Sequence, residues 1–152
     1  MFRVLSDPAI YEFENAPPSS EEWLANRYEK LESRESFDGT ERWLNWVVQL
    51  PTGALAGHVQ ATVLQSGASY VAYELHSDYW RQGIGGGAVT AVLEELRSNY
   101  AVHTAAAVLK TANYRSVALL QRLGFLPASE AQIAEFQPDA DERVMIKIMG
   151  AF

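Results

Sequence analysis

The chain has no cysteine. That excludes a disulfide, a thiolate metal site and a cysteine nucleophile. Its three histidines, His58, His76 and His103, are dispersed without the spacing of metal ligands, so no metal is expected. Basic charge is also scarce. Twelve Lys and Arg stand against 19 Asp and Glu, a formal charge of −7, which is the wrong sign for the basic stripe a general nucleic-acid binder needs. An acidic field suits a cationic partner such as an amine, and it also serves plain solubility. No apolar run approaches membrane-spanning length, and the opening MFRVLSDPAIYEF is charged and broken by proline, unlike a signal peptide. A cytoplasmic protein with neither membrane nor nucleic-acid partner fits these absences.

What is present is one domain's worth of core: 152 residues, 48% of them hydrophobic, read as a single domain over 1–152. SSEEWLANRYEKLE reads as a helix that Ser19 begins, with Glu22 completing a capping box and Trp23, Leu24, Tyr28 and Leu31 at helical spacing. RWLNWVVQL and ALAGHVQATVL read as strands joined by a tight PTG turn; QSGAS is the next turn and SYVAYELH a third strand. AVTAVLEELRSNY is an amphipathic helix, VHTAAAVL a strand, and NYRSVALLQRLGF a second amphipathic helix closed by Gly124. The tail, through FLPAS and ERVMIKIMG, supplies one or two more strands around a polar QPDADE turn. This order predicts an α/β (α+β) fold: a mixed, mostly antiparallel sheet with a central parallel β-α-β unit, strand 69–76, helix 86–99 and strand 102–109, and flanking helices.

Four glycines occupy five positions, 83–87, at the end of the third strand and the start of the helix. Bare backbone there can turn main-chain N–H groups toward an anion, with the positive end of the helix dipole behind them. A P-loop is excluded, because no lysine follows the glycines. Gly83, Gly85 and Ala88 satisfy the GxGxxA of a dinucleotide site. Yet HSDYWRQ separates them from the strand, and the next strand ends in Leu109 and Lys110 where an acid would hold a ribose.

ELHSDYWRQGIGGGAV resembles motif A of the GNAT superfamily of N-acetyltransferases, and NYRSVALLQRLGF resembles the helix that follows it, with the Asn-x-x-Ser start and Leu-Gly-Phe end. SDPAIYEF, the tryptophan-rich strand and the YW before the glycines look most like the ribosomal-protein N-terminal acetyltransferase branch. The resemblance implies acetyl-CoA as cosubstrate and a primary amine as acceptor, either a protein N-terminal α-amine or a small molecule, and it leaves room for a homodimer. It implies that Gln82, Gly83, Ile84, Gly85, Gly86 and Gly87 surround the pyrophosphate, with Arg81 adding charge. It implies further that the pantetheine arm bonds the main chain near Glu74 and Leu75, that the Leu75 N–H stabilises the developing oxyanion, and that Asn113 lies close to the cofactor. Ser116, a turn along that helix, would protonate the departing sulfur directly or through water. The plain structural alternatives are a helix N-cap for Asn113, a surface hydroxyl for Ser116 and tight packing for the three alanines of strand 102–109.

The family's usual tyrosine acid is replaced by Leu120 and the glutamate base of some members by Val108. Met1 already lies in what resembles the family's first helix, so the resemblance implies that the first strand either precedes this start or is replaced by another element at the sheet edge. Strand alternation puts Glu74 on one face with Tyr70, Ala72 and His76, where a partly covered carboxylate is the candidate base; the structural alternative is that it pairs with an arginine or points into solvent at the strand end. His76 and Asp78 read as loop caps, and His58 and His103 as structural. Trp43, Trp46, Tyr70 and Tyr73 read as core or as acceptor-pocket lining. The alternative to an enzyme is a non-catalytic acyl-CoA-binding or regulatory module, which the missing tyrosine and glutamate favour.

Overall fold

The computed structural model describes residues 1–150. Strands β1 (Glu41–Gln49), β2 (Leu55–Leu64) and β3 (Ala68–Leu75) form an antiparallel meander, joined by short turns after Leu50 and Leu64. Alternation along β2 buries Val59, Ala61 and Val63 and leaves His58, Gln60 and Thr62 on the less covered face. After β3 the chain crosses through α3 (Ile84–Tyr100) to β4 (Thr104–Lys110), which lies parallel to β3. Then come α4 (Tyr114–Arg122), the two-residue β5 (Leu126–Pro127), α5 (Glu130–Phe136) and β6 (Glu142–Ile148). Two helices precede the sheet, α1 (Phe2–Leu5) and α2 (Glu21–Leu31), separated by a 3-10 turn over Pro8–Tyr11. The strand order is β1-β2-β3-β4-β6-β5, with every pair antiparallel except β3 and β4. This is the mixed sheet with a central β-α-β unit that the sequence predicts.

Two apolar layers hold it. On one face Val89, Val92, Leu93 and Leu96 of α3 and Leu120 of α4 pack with Leu44, Val59, Val71, Leu109 and Phe125. On the other, Phe136 of α5 packs with Ala68, Ala106, Val144 and Ile146, and Tyr70 meets Phe136 edge-on at 5.1 Å. Burial of each large side chain contributes about 1.5–3 kcal/mol.

Three expectations are corrected. The serine that caps α2 is Ser20, not Ser19: its hydroxyl accepts the N–H of Trp23, so the helix starts one residue later than the Ser19–Glu22 pairing implied. The tail holds a helix as well as two strands, since α5 opens on a capping box of Ser129 and Gln132 and buries Phe136. The helix after the glycines begins at Ile84 and runs to Tyr100, and the strand behind it starts at Thr104.

One irregularity positions the site. β3 and β4 pair over only three residues, Ala68 with Thr104 through Tyr70 with Ala106. Beyond that point β3 stays paired to β2 as far as Leu75, and β4 to β6 as far as Lys110. Both strands therefore continue while separating from each other, which opens a gap in the middle of the sheet.

Candidate active site

Backbone alternation decides which groups face that gap. His76 N–H donates to the Ala56 carbonyl on the β2 side, so the even residues of β3 bond toward β2 and the odd ones toward β4. The main-chain groups of Tyr73 and Leu75 consequently point into the gap beyond the last paired residues. The Leu75 carbonyl is already taken, because the Trp80 indole donates to it at 2.7 Å.

A cavity of about 100 Å³ fills the gap, lined by Tyr73, Glu74, Ala107, Val108, Ser116 and His58 among others. The alanine run divides: Ala105 and Ala106 are sealed in the two apolar layers, whereas Ala107 also lines the cavity. Leu120 is buried at 1% exposure and reaches the cavity wall, which is apolar at that point.

Glu74 faces the N-terminal segment. Its Oε2 lies 3.4 Å from His58 Nε2 and accepts a 3.4 Å hydrogen bond from the Tyr11 hydroxyl. His58 is thus a partner of the carboxylate and part of the cavity wall. Burial, followed by the neighbouring Glu74 charge, pushes the Tyr11 phenol well above its ordinary range, and burial does the same for Tyr28, so both stay protonated. The single Tyr11 hydroxyl proton is shared between two acceptors, of which the Leu5 carbonyl at 2.6 Å is much the nearer.

Tyr73 faces α4, and its hydroxyl lies 2.5 Å from Ser116 Oγ. Burial raises this phenol to about 12, against the opposing effect of the Ser116 hydrogen bond. Asn113 caps α4: its Oδ1 accepts the Ser116 N–H at 3.2 Å and its Nδ2 donates to Glu14 Oε1 at 2.8 Å. The capping role of Asn113 is therefore real, and its carboxamide is engaged at both ends.

At the start of α3, Gly83 adopts φ +77, a conformation that favours glycine, and Arg81 also has positive φ, at +59. Any helix leaves its first N–H groups without intrahelical acceptors, here those of Ile84, Gly85 and Gly86. Gly87 differs from expectation, because its N–H already donates to the Gly83 carbonyl at 3.0 Å. The absent side chains also point different ways. A Cβ on Gly85 or Gly86 would meet Leu119, whereas one on Gly83 or Gly87 would meet nothing within 4 Å. Positions 85 and 86 thus face α4, where a Cβ would make ordinary van der Waals contact, while 83 and 87 face open space. Gln82 braces the loop by donating to the Asp78 carbonyl at 2.9 Å, and His76 Nδ1 accepts the Asp78 N–H, as the capping assignment of His76 expects. Of the four aromatic candidates, Tyr73 lines the cavity, Tyr70 is packed on Phe136, and Trp43 is tied through its indole N–H to Glu41; Trp46 lies against α3.

Sequence reading alone missed His58, Tyr11 and the Tyr73–Ser116 contact. A signal for His58 was available, since a hairpin turning about Ser66 puts positions 58 and 74, each eight residues away, opposite one another.

The profile of the acetyltransferase (GNAT) domain matches residues 1–126. The chain belongs to the GNAT acetyltransferase family. No curated protein sequence matches it. Among solved structures it is similar to the spermidine N-acetyltransferase of Vibrio cholerae in complex with CoA and spermine, at 19% identity over 97% of this chain and 87% of that one, TM-score 0.73. It is also similar to a ribosomal-protein-alanine N-acetyltransferase from Brucella melitensis, at 21% identity over 97% and 91% of the two chains, TM-score 0.67. A domain from Methanocaldococcus jannaschii matches at 21% identity over 97% and 89%, TM-score 0.71. These likenesses establish the GNAT fold. Among the described residues no cluster could hold a metal ion, and no helix is long and apolar enough to cross a membrane.

Proposed function

We propose that this GNAT domain transfers an acetyl group from acetyl-CoA to a primary amine by direct attack. The observation that carries the reading is that the open helix start and the sheet gap adjoin. The missing Cβ of Gly85 lies 3.8 Å from Leu75 Cδ2, so the unpaired N–H groups of α3 stand beside the end of β3 where the gap opens. Ile84, Gly85 and Gly86, with Gln82 and Gly83, would hold the pyrophosphate through main-chain N–H groups, and Arg81 would add charge. The main chain of Tyr73 and Leu75 would hold the pantetheine arm, with the Leu75 N–H available to the carbonyl oxygen as negative charge develops. Acetyl-CoA supplies the reactive thioester. Glu74 would take the proton of the amine, and Ser116 lies across the cavity from it as the proton donor.

The preferred acceptor is an α-amine. With a reference pKa of about 7.7–8.0, it is neutral for roughly a tenth of the time at pH 7, whereas lysine at about 10.4 almost never is. A second reading, a non-catalytic acyl-CoA-binding module, draws on the apolar Leu120 and Val108. Thiol release from acetyl-CoA across a panel of peptide N-termini, polyamines, amino acids and lysine side chains separates the two, and faster acetylation of lysines than of N-termini at neutral pH would refute the acceptor preference. Gly87→Asp is the matched control. A carboxylate in the first helical turn suits the dipole and its Cβ meets no atom within 4 Å, so the fold should persist while CoA affinity drops more than about tenfold through repulsion of the phosphates.

A further inference from the structure

The Tyr73 hydroxyl and Ser116 Oγ meet at 2.5 Å on the wall of the cavity. Ser116 is fixed through its own N–H by Asn113, and its hydroxyl carries one proton and two acceptor lone pairs. It can therefore accept from Tyr73 and donate onward at the same time. Its onward direction is the cavity, which both residues line. The phenol is half-buried, and the charged groups acting on it are Glu14 on the N-terminal segment and Arg122 on α4. Burial keeps the phenol protonated through the neutral range, so its proton is present there, although the same burial makes it a weaker acid than a free phenol. Glu74, next along the strand, lines the same cavity from the opposite face.

Building on the acetyl transfer proposed above, we infer that Tyr73 feeds the proton of the departing thiol through Ser116, a phenol on β3 in place of one on α4. As the amine nitrogen bonds the acyl carbon, the carbon–sulfur bond breaks and its electron pair stays on sulfur. Ser116 gives its hydroxyl proton to that sulfur and takes the phenolic proton of Tyr73. Glu74 receives the proton lost by the amine, and solvent exchange returns both groups to their starting states. Tyr73 is a positioning and relay residue here, and Ser116 is the group that touches the thiol.

The test reads the thiol directly. Free CoA bound to the wild-type protein, to Tyr73→Phe and to Ser116→Ala is titrated by the ultraviolet absorbance of its thiolate, with thermal melts of each protein alongside. A donor aimed at sulfur stabilises the thiolate, so each substitution should raise the apparent thiol pKa by about one to two units, the size of a lost hydrogen bond to a charged group. Turnover should fall by about 10²-fold with the KM for acetyl-CoA nearly unchanged, and the double variant should be no slower than the slower single one. If CoA binds normally and Tyr73→Phe leaves the thiol titration unchanged, the relay is refuted while the proposed acetyl transfer stands, and if Ser116→Ala leaves it unchanged too, Ser116 also loses its place as the proton donor. If the wild-type chain does not bind CoA, both are refuted. Should Tyr73→Phe unfold, fluorotyrosine incorporated at position 73, which keeps the shape but lowers the phenol pKa, takes its place, and an unchanged thiol titration then refutes the relay.

Discussion

Tyr73 and Glu74 are consecutive residues with opposite surroundings. Tyr73 points toward α4 and meets one neutral hydroxyl, that of Ser116. Glu74 points toward the N-terminal segment and meets an imidazole and a phenol, His58 and Tyr11. Strand alternation alone separates them, and the gap between β3 and β4 lets both reach one cavity. The lesson is economical: a strand that loses its neighbour can present a proton donor and a proton acceptor on either side of the same opening. Two helices on opposite faces would need far more coordination to do so.

Removing the acceptor side should have the largest effect. Glu74→Gln keeps shape and hydrogen bonding but not basicity, so acetyl-CoA binding should be nearly unchanged while turnover falls by about 10²–10⁴. Near-normal turnover would mean that the protein merely holds a neutral amine beside the thioester, and the contrast between the two faces would lose its chemical meaning.

The contrast can also be broken through the backbone. A Cβ at Gly57 would stand 2.0 Å from the Glu74 carbonyl oxygen and 2.9 Å from Leu75 Cα, both main-chain atoms that cannot swing aside. Gly57→Ala should therefore cost about 2–3 kcal/mol in urea unfolding and displace Glu74, lowering turnover as well. An alanine variant of native stability would show that β2 and β3 can spread without consequence.

Legibility followed sequence distance. The glycine loop, the crossover helix and the Asn113 cap are each contained in a dozen or so neighbouring residues, and local chemistry marked them. The two faces of β3 are assembled from afar: Ser116 lies 43 positions from Tyr73, and Tyr11 lies 63 from Glu74. No periodicity encodes such contacts. α5 was hidden for another reason, since seven residues with Ile133 and Phe136 as their only large apolar side chains give too few turns for a helical period to register. Its capping box, Ser129 and Gln132, was the legible part. The directions of the missing glycine side chains were not legible either, because all four glycines look alike until α4 is placed beside two of them.

A smaller change sharpens the Glu74 side. The Tyr11 hydroxyl is the link between that carboxylate and the Leu5 carbonyl, and its raised pKa keeps it a donor. Tyr11→Phe should cost about 1–2 kcal/mol by leaving the Leu5 carbonyl short of a partner. Turnover should fall less than about tenfold, because His58 still holds Glu74. A loss as large as that of Glu74→Gln would move the base function from the carboxylate to the phenol.

The smallest expected effect concerns how the N-terminal segment is pinned over this face. Asp7 accepts the N–H groups of Ala9 at 3.0 Å and Ser77 at 2.8 Å, and its carboxylate lies 3.8 Å from His76 Nδ1. Burial by itself would raise its pKa, but the bonds from Ser77, then the bond from Ala9 and the charge of His76, outweigh it and hold the carboxyl below 3.8. A carboxylate depressed by folding contributes stability that is complete above its unfolded pKa and lost as the pH falls through its folded value. Asn at this position offers one acceptor oxygen instead of two, so Asp7→Asn should be less stable by about 1 kcal/mol at neutral pH. The difference should stay constant down to about pH 5 and shrink as the pH falls through the folded value of Asp7, which lies below 3.8. Urea midpoints of both proteins across that range measure it. A gap that does not narrow in acid would mean that the two N–H groups are satisfied without the charge, and that the segment is held over Glu74 by its packing rather than by Asp7.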